Sequence, residues 1–270
     1  MIRTIIIWEW CTCTTSLEKE LFKTAMELLI GTAGWNYYDW KGRFYPEDLP
    51  SKQQLEYYAQ HFNLVEINVS FYRFVRESTY KKWHDQTPDN FSFTAKIHRY
   101  FTHLKRLKVD EEVISTWNKF IQPLTDGLRT KIKALLLQLP PSLKADLSLL
   151  EHWLDKVYKT EIPLFLEGRN STWMSEEVTS FLKARSIGFV FSHSIKWDSD
   201  PRIKTTDDVY WRFHGPEKPF YSIYSEEDMH QYACLLKELN PQKAFVIFNN
   251  TYRANAVINA NMFKESLNAC

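Results

Sequence analysis

Eight short runs of apolar and β-branched residues recur along this chain, at Leu28–Thr32, Leu64–Asn68, Phe91–Ile97, Ala134–Leu139, Pro163–Glu167, Gly188–Ser192, Val209–His214 and Ala244–Asn249. Their near-continuous apolar character predicts strands covered on both faces, as in a parallel sheet. Between most of them the apolar spacing changes to that of an amphipathic helix. Helices are expected from Ser51 to His61, Ser78 to Gln86, Asp110 to Leu124, Leu147 to Tyr158, Ser175 to Arg185, Ser225 to Leu239 and Ala254 to Leu267. The Asp110–Leu124 segment is a clear case, with Val113, Ile114, Trp117, Phe120 and Ile121 on one face. Only the connection from Ser194 to Asp208, rich in Asp, Ser and Pro, lacks a helical pattern. Eight strands, seven of them followed by a helical segment, between Leu28 and Leu267 match the roughly 250 residues of a (β/α)8 TIM barrel. An open doubly wound sheet would want a Gly-rich phosphate turn after the first strand. The stretch GTAGWNYYDWKG lacks that spacing, so the α/β class with a single barrel is preferred.

The strand ends carry the second pattern. Four of the runs close with polar residues two apart: Glu66 and Asn68, Lys96 and His98, Glu167 and Arg169, Arg212 and His214. Residues i and i+2 of a strand share a face, roughly 6–7 Å apart. Charges closing buried strands cost desolvation energy unless they meet water, each other or a ligand. Gln138, His193, Asn249 and Asn250 stand at further strand ends, while strand starts are plain. Barrels of this kind build their sites at the strand C-termini, so the residues are expected to share one water-accessible mouth.

Composition narrows the picture modestly. A net charge of +1 argues against a globally basic nucleic-acid surface, although Lys96 to Lys108 forms one local basic stretch. Aromatic residues make up 16% of the chain and crowd the loops after the first two strands, where Trp35 and Tyr72 are candidates to stack on a ligand. The four cysteines, at 11, 13, 234 and 270, have no C-x-x-C spacing and give no disulfide framework, which favours a reducing, cytoplasmic setting. No run approaches the length of a membrane span. Residues 1–25 differ in character from the rest and read as a poorly packed extension, loosely helical over Leu17 to Leu29, before a domain of residues 26–270.

At GTAGWNYYDWKGRFYP, VEINVSFYR, FTAKIHRYFTH, LLLQLPPS, LEGRNSTW, VYWRFHG and FNNTYRANAVINA the chain resembles the YecE-like family, domain of unknown function 72. These stretches run in the family's order from about Ile30 to Ala260. The resemblance implies a TIM barrel with a polar pocket at the strand C-termini, and no particular reaction. Likeness to metal-dependent endonuclease and sugar-isomerase barrels is analogy of fold alone. After the sixth strand many relatives look to carry an acidic residue where this chain reads FSHS, leaving Ser192 or His193 in its place.

The candidate chemistry follows from residue type. Arg169 and Arg212 offer forked cationic donors for a carboxylate or phosphate, or else pair with Glu66 and Glu167. Glu66, Glu167, Lys96 and His214 are the candidates for proton transfer, Lys96 because a crowded pocket lowers an amine's pKa and His214 because imidazole titrates near neutrality. Asn68, Tyr72, Gln138, Asn249 and Trp35 are the candidates to orient a substrate. The backbone N–H groups of the last helix, near Ala254, would favour an anion. His98, His193, His214 and the two glutamates include metal-ligand types, but the cations oppose a metal, and metal-independent acid–base chemistry without a cofactor is favoured. The expected partner is an anionic small molecule, phosphorylated or derived from nucleic acid. A non-catalytic nucleic-acid-binding barrel and a metal-dependent hydrolase or isomerase are the alternatives.

Overall fold

The computed structural model describes residues 26–270. Eight parallel strands close on themselves in sequence order: β1 (Glu27–Ala33), β2 (Leu64–Ile67), β3 (Ser92–Lys96), β4 (Ile132–Leu139), β5 (Leu164–Gly168), β6 (Gly188–His193), β7 (Val209–Phe213) and β8 (Lys243–Phe248). Closure is the pairing of β1 with β8, from Glu27 opposite Lys243 to Thr32 opposite Phe248. The barrel is therefore complete, and the open-sheet alternative falls.

The helices around it are α1 (Gln54–Ala59), α2 (Val69–Tyr72), α3 (Glu77–Asp85), α4 (Glu111–Leu128), α5 (Leu147–Lys156), α6 (Glu176–Ala184), α7 (Glu226–Leu239) and α8 (Asn255–Ala269). Four of them, α4 to α7, start at side chains that satisfy otherwise unpaired backbone donors. Asp110 accepts from Val113 N at 2.8 Å, Asp146 from Leu149 N at 2.9 Å, and Ser225 exchanges bonds with Asp228 in a capping box. No α-helix forms between β6 and β7, as the Asp-, Ser- and Pro-rich composition predicts. α2 is a single turn that sequence periodicity did not reveal, because four residues are too few to show a period. The helical reading of Leu17–Leu29 lies outside the described residues except at its end, where β1 already begins at Glu27.

Two cores result. Outside the barrel, strands and helices enclose a large apolar layer that includes Trp117, Trp153 and Phe101. Inside it a separate cluster of Leu29, Ala33, Leu64, Ala134, Leu136, Phe165, Val190, Tyr210, Phe245 and Ile247 fills the barrel below its mouth. Above that floor the inward positions turn polar, and the candidate site is built there.

Cys234 of α7 and Cys270, just past α8, are joined by a disulfide, their Cα atoms 5.3 Å apart. This corrects the expectation that the cysteines form no framework: proximity of two residues separated by 36 positions is tertiary information that their spacing does not carry. Cys11 and Cys13 lie outside the described residues. Among the described residues, no helix is long and apolar enough to cross a membrane.

Candidate functional site

Strand parity assembles the site. Counting inward positions up from the apolar floor by twos reaches Glu66, Thr94, Glu167 and Arg212, then Asn68, Lys96, Gln138, Arg169, His214 and Asn249. The expectation that distant strand ends meet is met: Arg212 and Glu66 are 146 residues apart and share two hydrogen bonds.

The lower tier is an ionic layer. Arg212 donates from Nε to Glu66 Oε2 at 2.9 Å and from Nη2 to Glu66 Oε1 at 2.7 Å, a bidentate pair, and its Nη1 donates to Glu167 Oε2. Tyr210 donates to Glu66 at 2.8 Å and is itself bonded to Thr94 at 2.7 Å. Glu167 also accepts from Gln138 Nε2 and from Arg169 Nε, each at 2.8 Å. Glu66, Glu167, Arg212 and His214 are each no more than 1% exposed. Burial pushes the Glu167 carboxyl upward, but Arg212 and Arg169 outweigh it and hold the group well below the usual carboxylate range. Burial likewise disfavours the Arg212 charge, and Glu167 and Glu66 restore it.

Four expectations change here. The mouth is shared, but it is not an open bowl at this depth. Arg212 cannot grip a ligand, because protein carboxylates occupy each of its three nitrogens. Gln138 serves Glu167 as a supporting donor and does not face a ligand. Glu66 and Glu167 spend their oxygens on Arg212, Tyr210, Gln138 and Arg169, which leaves them poor candidates for proton transfer or for binding a metal.

The upper tier differs. Lys96 Nζ lies 3.9 Å from the centre of the Phe71 ring and meets no hydrogen-bond acceptor among the described residues. Burial, then Arg212 and Arg169, lower its pKa from 10.5 to about 7. Arg169 stacks on Trp197 at 4.1 Å and spends only its Nε on Glu167. Its two terminal amines have no acceptor among the described residues, and it is the charged group of this cluster that reaches solvent.

His214 sits between the tiers, with Nε2 3.3 Å from Arg212 Nη1 and Nδ1 3.0 Å from the Asn249 amide. Burial and then Arg212 keep its pKa well below the usual imidazole value, so the ring is neutral at pH 7. Arg212 can only donate, so Nε2 accepts from it; the ring proton then sits on Nδ1, which pairs with Asn249 once that amide turns its oxygen, rather than Nδ2, toward the ring. That replaces the expected acid–base imidazole with a neutral one whose role is to connect Arg212 to Asn249. Trp197 and Phe220 close over it edge-on, with centroids 5.6 and 5.8 Å away.

Several candidates lie elsewhere. Tyr72 is 66% exposed at the rim and does not enter the pocket. Trp35 and Asn68 line an adjoining cleft of about 490 Å³ whose walls include the cations Lys52, Arg73 and Lys82 and no carboxylate. His193 bonds Tyr224 at 2.8 Å, whereas the Ser192 hydroxyl, buried between Glu167 and Arg212 in the tier pattern, has no partner among the described residues. The basic stretch does not form one charged face: Lys105 pairs with Asp110 and Glu112 at 2.9 Å each, Arg106 bonds Ser142, and His98 stacks on Phe74. At the last helix the protein supplies its own anion, since Asp39 accepts from Arg253 N at 2.6 Å. Asn255 and Asn259 bond to the backbone carbonyls of Tyr221 and Tyr224 and are packing residues.

Sequence reasoning missed Tyr210, Thr94 and Trp197, and it placed Phe71 only among the aromatic residues of the loops after the first two strands. The first two could have been found by extending the same parity two residues down from Arg212 and Lys96. The last two lie in segments without periodicity. Gly168, between Glu167 and Arg169, is explained by space, because a Cβ there would stand 2.3 Å from Trp173 Cβ. Gly168→Ala is expected to cost about 1–3 kcal/mol by overpacking, read as a lower urea midpoint.

Comparison with known proteins now adds to the geometry. The family described as "Protein of unknown function DUF72" matches residues 29–270, nearly the whole described chain. This chain belongs to the DUF72 family. Among curated relatives, UPF0759 protein YunF of Bacillus subtilis is 28% identical, with 89% of this chain and 94% of YunF covered. UPF0759 protein YecE of Escherichia coli K12 is 31% identical over 104 residues, 38% of this chain and 37% of YecE. A crystal structure of a DUF72 family protein from Thermotoga maritima superposes with a TM-score of 0.78 at 31% identity, covering 90% of this chain and 99% of that one. One from Enterococcus faecalis, at 20% identity and a TM-score of 0.74, covers 89% and 95% and shares the fold. This chain thus shares its barrel with the two solved DUF72 structures, and none of these names carries a reaction.

Proposed function

We propose that the upper tier of this barrel binds a small anionic molecule, phosphorylated or nucleic-acid-derived, and acts on it by proton transfer at Lys96. The observation that carries the reading is a charge imbalance. Glu66 and Glu167 balance Arg212 and Arg169, so a protonated Lys96 adds one positive charge, and both it and the free end of Arg169 lack acceptors of their own. An anion supplies those acceptors. The neighbouring cleft, with Trp35 opposed edge-on to Trp83 at 5.0 Å and three cations on its walls, suits a planar, negatively charged portion of the same ligand. With a pKa of about 7, Lys96 is available as the free amine needed of a general base. Arg169 and Lys96 are then the ligand-facing cations, Asn68 and Trp35 orienting groups, and Glu66, Arg212, Gln138, His214 and Asn249 the frame behind them. A metal-independent reaction belongs to the same proposal, whereas the Cys234–Cys270 disulfide removes the argument from cysteine spacing for a cytoplasmic location.

Calorimetric titration tests it with sulfate, which keeps its charge across the range used, and with nucleoside monophosphates. Binding should weaken as pH rises through about 7, because the anion favours the protonated form of Lys96. Arg169→Ala should lose at least tenfold in affinity with its circular dichroism unchanged. Affinity that is flat with pH and indifferent to Arg169 would refute the reading. An oligonucleotide titrated alongside decides the nucleic-acid alternative, which requires affinity falling steeply with salt.

A further inference from the structure

α7 presents His230 and Cys234 one helical turn apart on the same face, and the end of α8 brings Cys270 to them. One ligand atom from each residue lies within 4.8 Å of the other two, the grouping of three such residues found among the described residues. His230 Nε2 stands 3.6 Å from Cys234 Sγ, and its Nδ1 stands 3.9 Å from Cys270 Sγ. The edge between sulfur and nitrogen in a tetrahedral zinc site is roughly 3.6 Å, given bonds of about 2.3 and 2.1 Å. Each sulfur is therefore near ligand spacing from one ring nitrogen, and a turn of the imidazole is what would bring a single nitrogen to a metal held by both. The two sulfurs bond each other here, and rotation about their Cα–Cβ bonds is what would part them. His230 and Cys270 are exposed and Cys234 is half-buried, so a cation has a direct approach and water can take a fourth position. Nothing in the barrel mouth contributes to this site.

We propose that His230, Cys234 and Cys270 bind Zn2+ when the Cys234–Cys270 bond is reduced, and that the disulfide is the closed, metal-free form. A phosphine or dithiol reductant supplies the two electrons that cleave the sulfur–sulfur bond. With a phosphine, water supplies the oxygen of the phosphine oxide and the two thiol protons. The thiols release those protons to solvent as their sulfurs take the metal, and neutral His230 adds a nitrogen. Two thiolates with one imidazole form a soft donor set that zinc prefers over Mg2+ or Ca2+. Either state ties α7 to the end of α8, so reduction exchanges one cross-link for another.

The test uses the full chain with Cys11→Ser and Cys13→Ser, so that the thiols counted belong to this pair. After reduction with a phosphine, confirmed by two titratable thiols, the protein is incubated with zinc, desalted and analysed for metal. About one equivalent is expected in the reduced protein and less than a tenth in the oxidised one. Cys234→Ser or Cys270→Ser should abolish retention, and His230→Ala should weaken it at least tenfold in a competition titration. Cobalt in place of zinc should give sulfur-to-metal charge-transfer absorption in the near ultraviolet. Reduced protein holding no more zinc than the Cys234→Ser variant, or oxidised protein holding as much as reduced, would overturn the proposal. Unchanged affinity in His230→Ala would overturn the three-ligand site as well.

Discussion

Arg212→Met is expected to lower the free energy of unfolding by about 3–5 kcal/mol, the cost of leaving buried charges without their partner. Both Glu66 and Glu167 lose a guanidinium that neutralises them, in a layer with almost no solvent access. The loss is large beside the 5–15 kcal/mol that stabilises a typical domain. Adding Glu66→Gln to the same chain should recover part of it, since one stranded carboxylate is then removed while an acceptor for Tyr210 is kept. Urea unfolding of the parent, both single variants and the double measures this coupling. An Arg212→Met protein within about 1 kcal/mol of the parent would mean that the ionic layer does not hold the barrel together. The outcome also separates two kinds of arginine. A side chain that grips a ligand costs less stability when it is lost, and Arg169, with one bond to Glu167 and an end that reaches solvent, should cost less than Arg212.

How much of this was legible beforehand depends on the range of the signal. Alternating apolar runs and helical spacing are local, and they located all eight strands to within a residue or two and the long helices nearly as well. Period two then gave the inward-facing set without coordinates, because a side chain at i+2 has little choice but to share a face with i. What parity could not provide was depth. Glu66 and Lys96 read alike as polar residues at strand ends, yet their places in the stacked tiers make the first a frame residue and the second an upper-tier amine. Nor could it show which acceptors were already taken: that Arg212 is satisfied and Arg169 is only half satisfied depends on contacts across three strands. Trp197, which stacks on Arg169, comes from the connection without any pattern, and Cys270 finds Cys234 only once α7 and α8 are packed.

Lys96→Met should move stability the other way. The amine titrates near 10.5 in an unfolded chain and at about 7 in the folded one, with burial the leading cause. Between those values the unfolded form keeps a proton that the native form has shed, so the penalty for this lysine is full below about pH 7, fades as pH rises, and is gone near 10.5. Methionine has nearly the same shape and no charge to desolvate, and it keeps contact with Phe71. The variant should therefore be about 3–5 kcal/mol more stable than the parent at pH 6, with the gain shrinking steadily toward pH 10. Denaturant unfolding at several pH values reads this directly, and the same protein should lose the pH dependence of sulfate binding. A gain that does not vary with pH, or a less stable variant at pH 6, would show that Lys96 is a well-satisfied structural cation. On the proposed reading, the cost of keeping an amine where a thioether would fit is offset by what that amine does to a ligand.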